Sequence, residues 1–287
     1  MSILKWFASL VLTATIAPAL LAESHCPGNV ASLPIRILNG YKIVVPVSIN
    51  HSGRYDFLLD TGTQMTVVGP ALADLLHLKT QGAAMVAGAG FNESASFSQL
   101  DLLDAGSHSL ANQKVLVYGL LNLRSVDSRI RGILGEDFLE HFDMLIDYAH
   151  RQLCLDDSAA MQAEIKGQRV PLLTPARAQD GPPLSNLRII TARLSGETQP
   201  VRLMLDSGSS IPYLYNTSQR LVPQVMSGAS LVGGGANGDQ QVFSALPPQK
   251  VKIGSFELRV TFLTLAYARK ERTSHHGVTG PDALTVG

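Results

Sequence analysis

The chain has 287 residues, 45% of them apolar and 16% charged, and its 23 Lys and Arg balance 23 Asp and Glu. That length fits one large domain or two ordinary ones, and the zero net charge argues against both a disordered polymer and a nucleic-acid binder. Twenty-five Gly and fifteen Pro, scattered without a period, exclude collagen and coiled coil and suit a β-rich globule built on many tight turns.

Residues 1–22 place one Lys before an apolar run from Trp6 to Leu21 that contains Pro18 and ends in small residues. This is the pattern of a cleaved secretory signal, with an uncleaved membrane anchor as the alternative, which the run disfavours because a span needs roughly 20 unbroken apolar residues. The mature chain is therefore expected to be exported, periplasmic or secreted, and without a stable membrane span. Only Cys26 and Cys154 carry thiols. In an oxidising compartment a single disulfide between them is the expectation, with two separate thiols as the alternative.

Beyond the signal, Tyr41–Ile49 alternates apolar and polar residues, Asn50–Gly53 has turn chemistry, and Arg54–Leu59 reads as a second strand. This hairpin ends at Asp60. Pro70–Leu78 and Glu136–Phe142 read as short helices, with Pro able to open the first, and Val115–Tyr118 and Val260–Leu265 read as buried strands. A second hairpin, from Arg188–Leu194 and Val201–Leu205, ends at Asp206. No long amphipathic helices separate the strands, which argues against a parallel α/β architecture.

The two hairpins belong to an internal repeat. Tyr55–Thr63 resembles Val201–Ser209 at an offset of 206 − 60 = 146, and Val86–Gly90 resembles Val232–Ala236 at the same offset. Gly132–Leu139 resembles Gly277–Leu284 at 277 − 132 = 145. Three collinear matches define two homologous lobes, residues 30–157 and 166–287, with 158–165 as a linker. After its third match lobe one continues through Phe142–Leu155, whereas the sequence ends three residues beyond Leu284, so lobe two is expected to lack its last strand.

An Asp directly after three apolar residues is costly to bury unless its surroundings satisfy it or use it. Here this occurs twice, as Asp60-Thr61-Gly62-Thr63 and Asp206-Ser207-Gly208-Ser209. Thr61 and Ser207 supply hydroxyl donors, Gly62 and Gly208 allow close approach of a second segment, and Thr63 and Ser209 can hold the other carboxylate oxygen. Such features serve a site in which two carboxyls share one proton. The structural alternative, a turn-capping Asp before Gly, does not account for the duplicated context.

These turns resemble the active-site signature of the pepsin and retropepsin clan of aspartic proteases, most nearly bacterial exported retropepsin-like proteins with two such units in one chain. Gly132 and Gly135, repeated as Gly277 and Gly280, are similar to the clan's glycine-bearing loop. The resemblance implies a mainly β, bilobal aspartic-protease fold of two β-barrel-like lobes with short helices. It implies an endopeptidase acting on peptide or protein substrates, with Asp60 and Asp206 as catalytic pair and water as nucleophile, and without cofactor or metal. The glycine-rich stretches holding Gly88, Gly90, Gly234 and Gly235 fall where that clan has flaps over the substrate. Two other readings stand beside it: a catalytically silent module binding peptides in the same cleft, and a homodimer using Asp60 from two chains. His275-His276 lacks companions at metal-ligand spacing, and Gly233–Gly235 lacks the Lys-Ser/Thr of a phosphate loop.

Overall fold

Where β-branched residues alternate up to a turn of small polar residues, the backbone has little choice but a hairpin. The computed structural model describes residues 26–88, 91–173, 186–214, 230–233, 235–238, 240–265 and 283–286. Residues 1–22, expected as a signal, and Gly90, Gly234, Gly277, Gly280 and the His275-His276 pair lie outside these. Two short strands, β1 (Ser32–Pro34) and β2 (Arg36–Leu38), lead into the expected hairpin of β3 (Lys42–Ile49) and β4 (Ser52–Leu59). Ile49 pairs with Ser52, and the two residues between them, Asn50 and His51, both take positive φ (50° and 61°). That backbone twist matches the twist of the flanking strands. The Asn50 side chain also accepts hydrogen bonds from the backbone N–H of Asp101 and Leu102, at 2.9 and 3.0 Å, tying the turn to a segment some fifty residues further along the chain.

Lobe one then runs through β5 (Val67–Val68), α1 (Pro70–Leu75), β6 (Ala83–Gly88), β7 (Phe91–Ala105) and β8 (His108–Val117). Helix α2 (Leu121–Val126), β9 (Ile130–Leu134) and α3 (Glu136–Leu139) follow. The strand order is β2-β3-β4-β9-β5-β8-β7-β6, and β7 also pairs with β3, which curls the sheet toward closure. Ile43, Val45, Phe57, Leu59, Leu100 and Phe138 fill the interior. The decisive crossing is β9, which lies parallel to β4 and antiparallel to β5. It brings Gly135 beside the end of β4, where Asp60 stands.

Strands β10 (Asp143–Asp147) and β11 (Gln152–Asp156) form a separate three-stranded sheet with β1. Asp147 serves the turn between them, accepting from the His150 backbone N–H at 2.9 Å. Cys26 and Cys154 are joined in a disulfide, packed against the buried Met161 of α4 (Ala160–Glu164). Residues 158–165, expected as linker, thus carry a helix docked on lobe one, because Met161 has an apolar niche to fill.

Lobe two repeats the plan with β12 (Ile189–Leu194), β13 (Val201–Leu205), β14 (Tyr213–Leu214), β15 (Ser230–Gly233) and β16 (Gln241–Ala245). Strands β17 (Gln249–Ile253), β18 (Phe256–Val260), β19 (Leu263–Leu265) and β20 (Ala283–Val286) follow. The run Val260–Leu265, expected as one strand, is broken between β18 and β19. Strand β20 lies parallel to β13 and antiparallel to β14, as β9 does to β4 and β5. Register corrects the third sequence match. Leu134 pairs with Leu59 and Val286 with Leu205, so the equivalent positions differ by 286 − 134 = 152 rather than 145. The counterpart of the Gly132 strand is thus Ala283–Val286, beyond Gly277 and Gly280. Strand pairing with the segment entering Asp206, not glycine spacing, decides the equivalence.

Candidate active site

Each Asp ends a strand that cannot continue. After Leu59 the β4 backbone turns, and the Asp60 N–H donates to Leu134 O at 3.0 Å. The Gly62 N–H donates to Asp60 Oδ1 and the Thr63 hydroxyl to Asp60 Oδ2, both at 2.8 Å. The turn is backed by the glycine-bearing segment: the Glu136 N–H donates to Thr63 O at 2.8 Å, and a Cβ on Gly135 would collide with the Met65 and Thr63 backbone. In lobe two the Gly208 and Ser209 N–H groups both donate to Asp206 Oδ1 at 2.9 Å. Here the expected hydroxyl contact does not form. The Ser209 hydroxyl donates instead to Ile211 O at 2.8 Å, and its backbone N–H takes over the carboxylate.

Thr61 and Ser207 do not touch the carboxylates either. They lock the lobes together by reciprocal bonds. The Thr61 hydroxyl donates to Leu205 O at 2.8 Å and accepts from the Ser207 N–H at 3.0 Å. The Ser207 hydroxyl donates to Leu59 O at 2.9 Å and accepts from the Thr61 N–H at 3.1 Å. Both hydroxyls thereby satisfy strand-end backbone groups that would otherwise be orphaned in the interface. This lock lays each Asp on the opposite turn. A Cβ on Gly62 would overlap the Asp206 carboxyl, and one on Gly208 the Asp60 carboxyl, so only Gly permits the crossing.

The result is a pair of carboxyls in mutual contact. Burial, the Asp60 charge and a hydrogen bond to Asp60 together push the Asp206 carboxyl well above the usual carboxylate range. Two like charges this close cannot both ionise cheaply, so the pair titrates as a unit.

Three cross-lobe contacts had no signal in the sequence, since residue type alone does not say which lobe a side chain will reach. Arg188 Nε donates to Glu136 Oε1 at 2.7 Å, and Arg188 Nη2 to Leu139 O at 3.0 Å. Lys42 Nζ donates to Gly208 O at 2.9 Å. The third joins the glycine-rich hairpins. The β15–β16 tip meets lobe one where the Asn122 side chain donates to Gly235 O at 2.6 Å and Asn237 Nδ2 to Glu93 Oε2 at 2.8 Å. Gly88 ends β6 opposite Phe91 in the other hairpin.

Residues 45–138 match the family model described as aspartyl protease, a segment running from within β3 to α3 and including Asp60, Gly132 and Gly135. Among solved structures, the chain is similar to a retropepsin-like aspartic protease from Rickettsia conorii, at 20% identity over 44% of this chain and 90% of that one, with a TM-score of 0.33. The comparison with curated proteins found no match. The chain is thus mainly β, and its segment 45–138 resembles the aspartyl protease family.

Proposed function

We propose that the chain is an aspartic endopeptidase in which Asp60 and Asp206 form an intrachain dyad. The observation that carries this reading is the crossed contact of the two carboxyls, with Asp206 held up by burial and by Asp60. One carboxyl stays ionised and takes a proton from water, while the other stays protonated and donates to the scissile carbonyl. The attacking oxygen is that of water, so no acyl-enzyme forms. The peptide lies in the cleft between lobes beneath the hairpins that hold Gly88 and Gly235, whose closure would exclude bulk water.

The Thr61–Ser207 lock joins the two turns of one chain, which supports an intrachain pair over two copies of Asp60. The test is incubation of the chain from about Glu23 onward with an unfolded-protein digest from acidic to neutral pH, cleavages being read by mass spectrometry. Wild type should cut, and Asp60→Asn and Asp206→Asn should each lose at least about 10³-fold in rate while remaining folded. Full activity in Asp206→Asn would reject the intrachain dyad. Peptide retention without cleavage by wild type would favour the binding module.

A further inference from the structure

The two lobes share a pseudo-two-fold plan, and the place where the plan fails next to the carboxyls is Lys42. Val44 pairs with Leu58 in lobe one, so Lys42 stands opposite Asp60; Ile189 pairs with Met204 in lobe two, so Leu187 stands opposite Asp206. The equivalent positions therefore hold a cation in one lobe and an apolar side chain in the other, both nearly sealed from solvent at 8% and 6% exposure. An ammonium is not buried without an electrostatic reason. Its Nζ lies 5.3 Å from the centre of the Tyr41 ring and donates to Gly208 O across the lobe interface at 2.9 Å.

That carbonyl belongs to the Gly208–Ser209 peptide, whose N–H is the one that donates to Asp206 Oδ1 at 2.9 Å. A positive donor on the oxygen of an amide draws electron density from its nitrogen and strengthens the N–H as a donor, so hydrogen bonds in series reinforce one another. We propose that Lys42 is a positioning residue for Asp206: from lobe one it fixes and polarises the Gly208–Ser209 peptide, which in turn orients and stabilises the ionised Asp206 carboxylate. Among the described residues no such relay reaches Asp60, where the Thr63 hydroxyl supplies the second donor directly. Among the described residues, Asp60 is in contact with the Asp206 carboxyl and Lys42 stands one peptide away. Lys42 thus offsets part of the rise that burial and the Asp60 charge impose on the Asp206 carboxyl.

This inference rests on the reading of the pair as a catalytic dyad, and its test has a readout that does not. The carboxyls of wild type, Lys42→Met and Lys42→Arg are titrated by carbon NMR of labelled aspartate, alongside thermal melting. In Lys42→Met the upper apparent pKa of the pair should rise by on the order of one unit, and Lys42→Arg should restore it. On a peptide that wild type cleaves, kcat should fall about tenfold in Lys42→Met with KM little changed, and the pH profile should move upward with the titration. Identical titration in folded Lys42→Met and wild type would overturn the proposal. If Lys42→Met melts below the working temperature, Lys42→Gln replaces it, and the same two outcomes decide. Wild type without cleavage would sink the enzymatic reading yet leave the titration to judge Lys42.

Discussion

The side chains that matter most at the site are small, and their effect comes from where they send hydrogen bonds. Thr61 and Ser207 look interchangeable with any turn hydroxyl, yet each caps a strand-end carbonyl of the other lobe and accepts that lobe's N–H. Replacing either by Ala leaves buried backbone groups unpaired, at a cost of about 1–3 kcal/mol. Because the four bonds form one unit, Thr61→Ala and Ser207→Ala together should cost clearly less than the sum of the two single changes. Urea unfolding of the two single variants and the double variant measures this. A strictly additive result would mean that the hydroxyls act independently.

At the scale of elements, the crossing of β9 between β4 and β5 sets the turn that carries Asp60, and the three-stranded sheet of β1, β11 and β10 anchors lobe one's ends. The Cys26–Cys154 disulfide closes a sequence separation of 128 residues that contains nearly all of lobe one. By the chain-entropy account, removing a link over so long a loop lowers stability by about 4–5 kcal/mol. Cys26→Ser with Cys154→Ser should therefore melt well below wild type, and reductant should lower wild type to the same point. Equal melting of oxidised and reduced chains would show that α4 and β11 hold this end without the link.

At the scale of the whole molecule, the carboxyls of Glu136, Asp137 and Asp206 sit where their surroundings oppose ionisation. Glu136 is raised above its ordinary value chiefly by burial, which outweighs the pull of Arg188, and Asp137 is raised by burial in spite of its bonds from Thr66. Asp206 is raised as well. An acid whose folded pKa lies above its unfolded one contributes stability that is complete below the unfolded value and is lost as pH climbs through the folded value. Asp127, held low by Arg129 and Arg36, and Asp147, held low by His150, act the other way and lose their contribution only at strongly acidic pH. Stability should consequently peak in mildly acidic solution, with a higher melting temperature at about pH 5 than at about pH 8. Asp206→Asn should recover part of the loss at the higher pH, since it removes one of the strained carboxyls. A melting curve that is flat from acid to neutral, or unchanged by Asp206→Asn, would contradict this account.

Much of this was legible in one dimension because it is a matter of local pattern. Two Asp after apolar triplets, each followed by a hydroxyl residue and Gly, already demand a shielded, satisfied carboxylate, and alternation around Asn50 already demands a hairpin. Contacts at long range were not legible. That Ser209 would turn its hydroxyl to Ile211, that Ala283–Val286 would lie beside β13, and that Lys42 and Arg188 would each reach the opposite lobe all depend on how the two halves pack. Residue identities determined that the carboxyls would be paired with donors, because burial without them is too costly. Only the tertiary structure decided which donors, since hydrogen bonds extend about 3 Å and the atoms within that reach are chosen by the folding of distant segments onto one another.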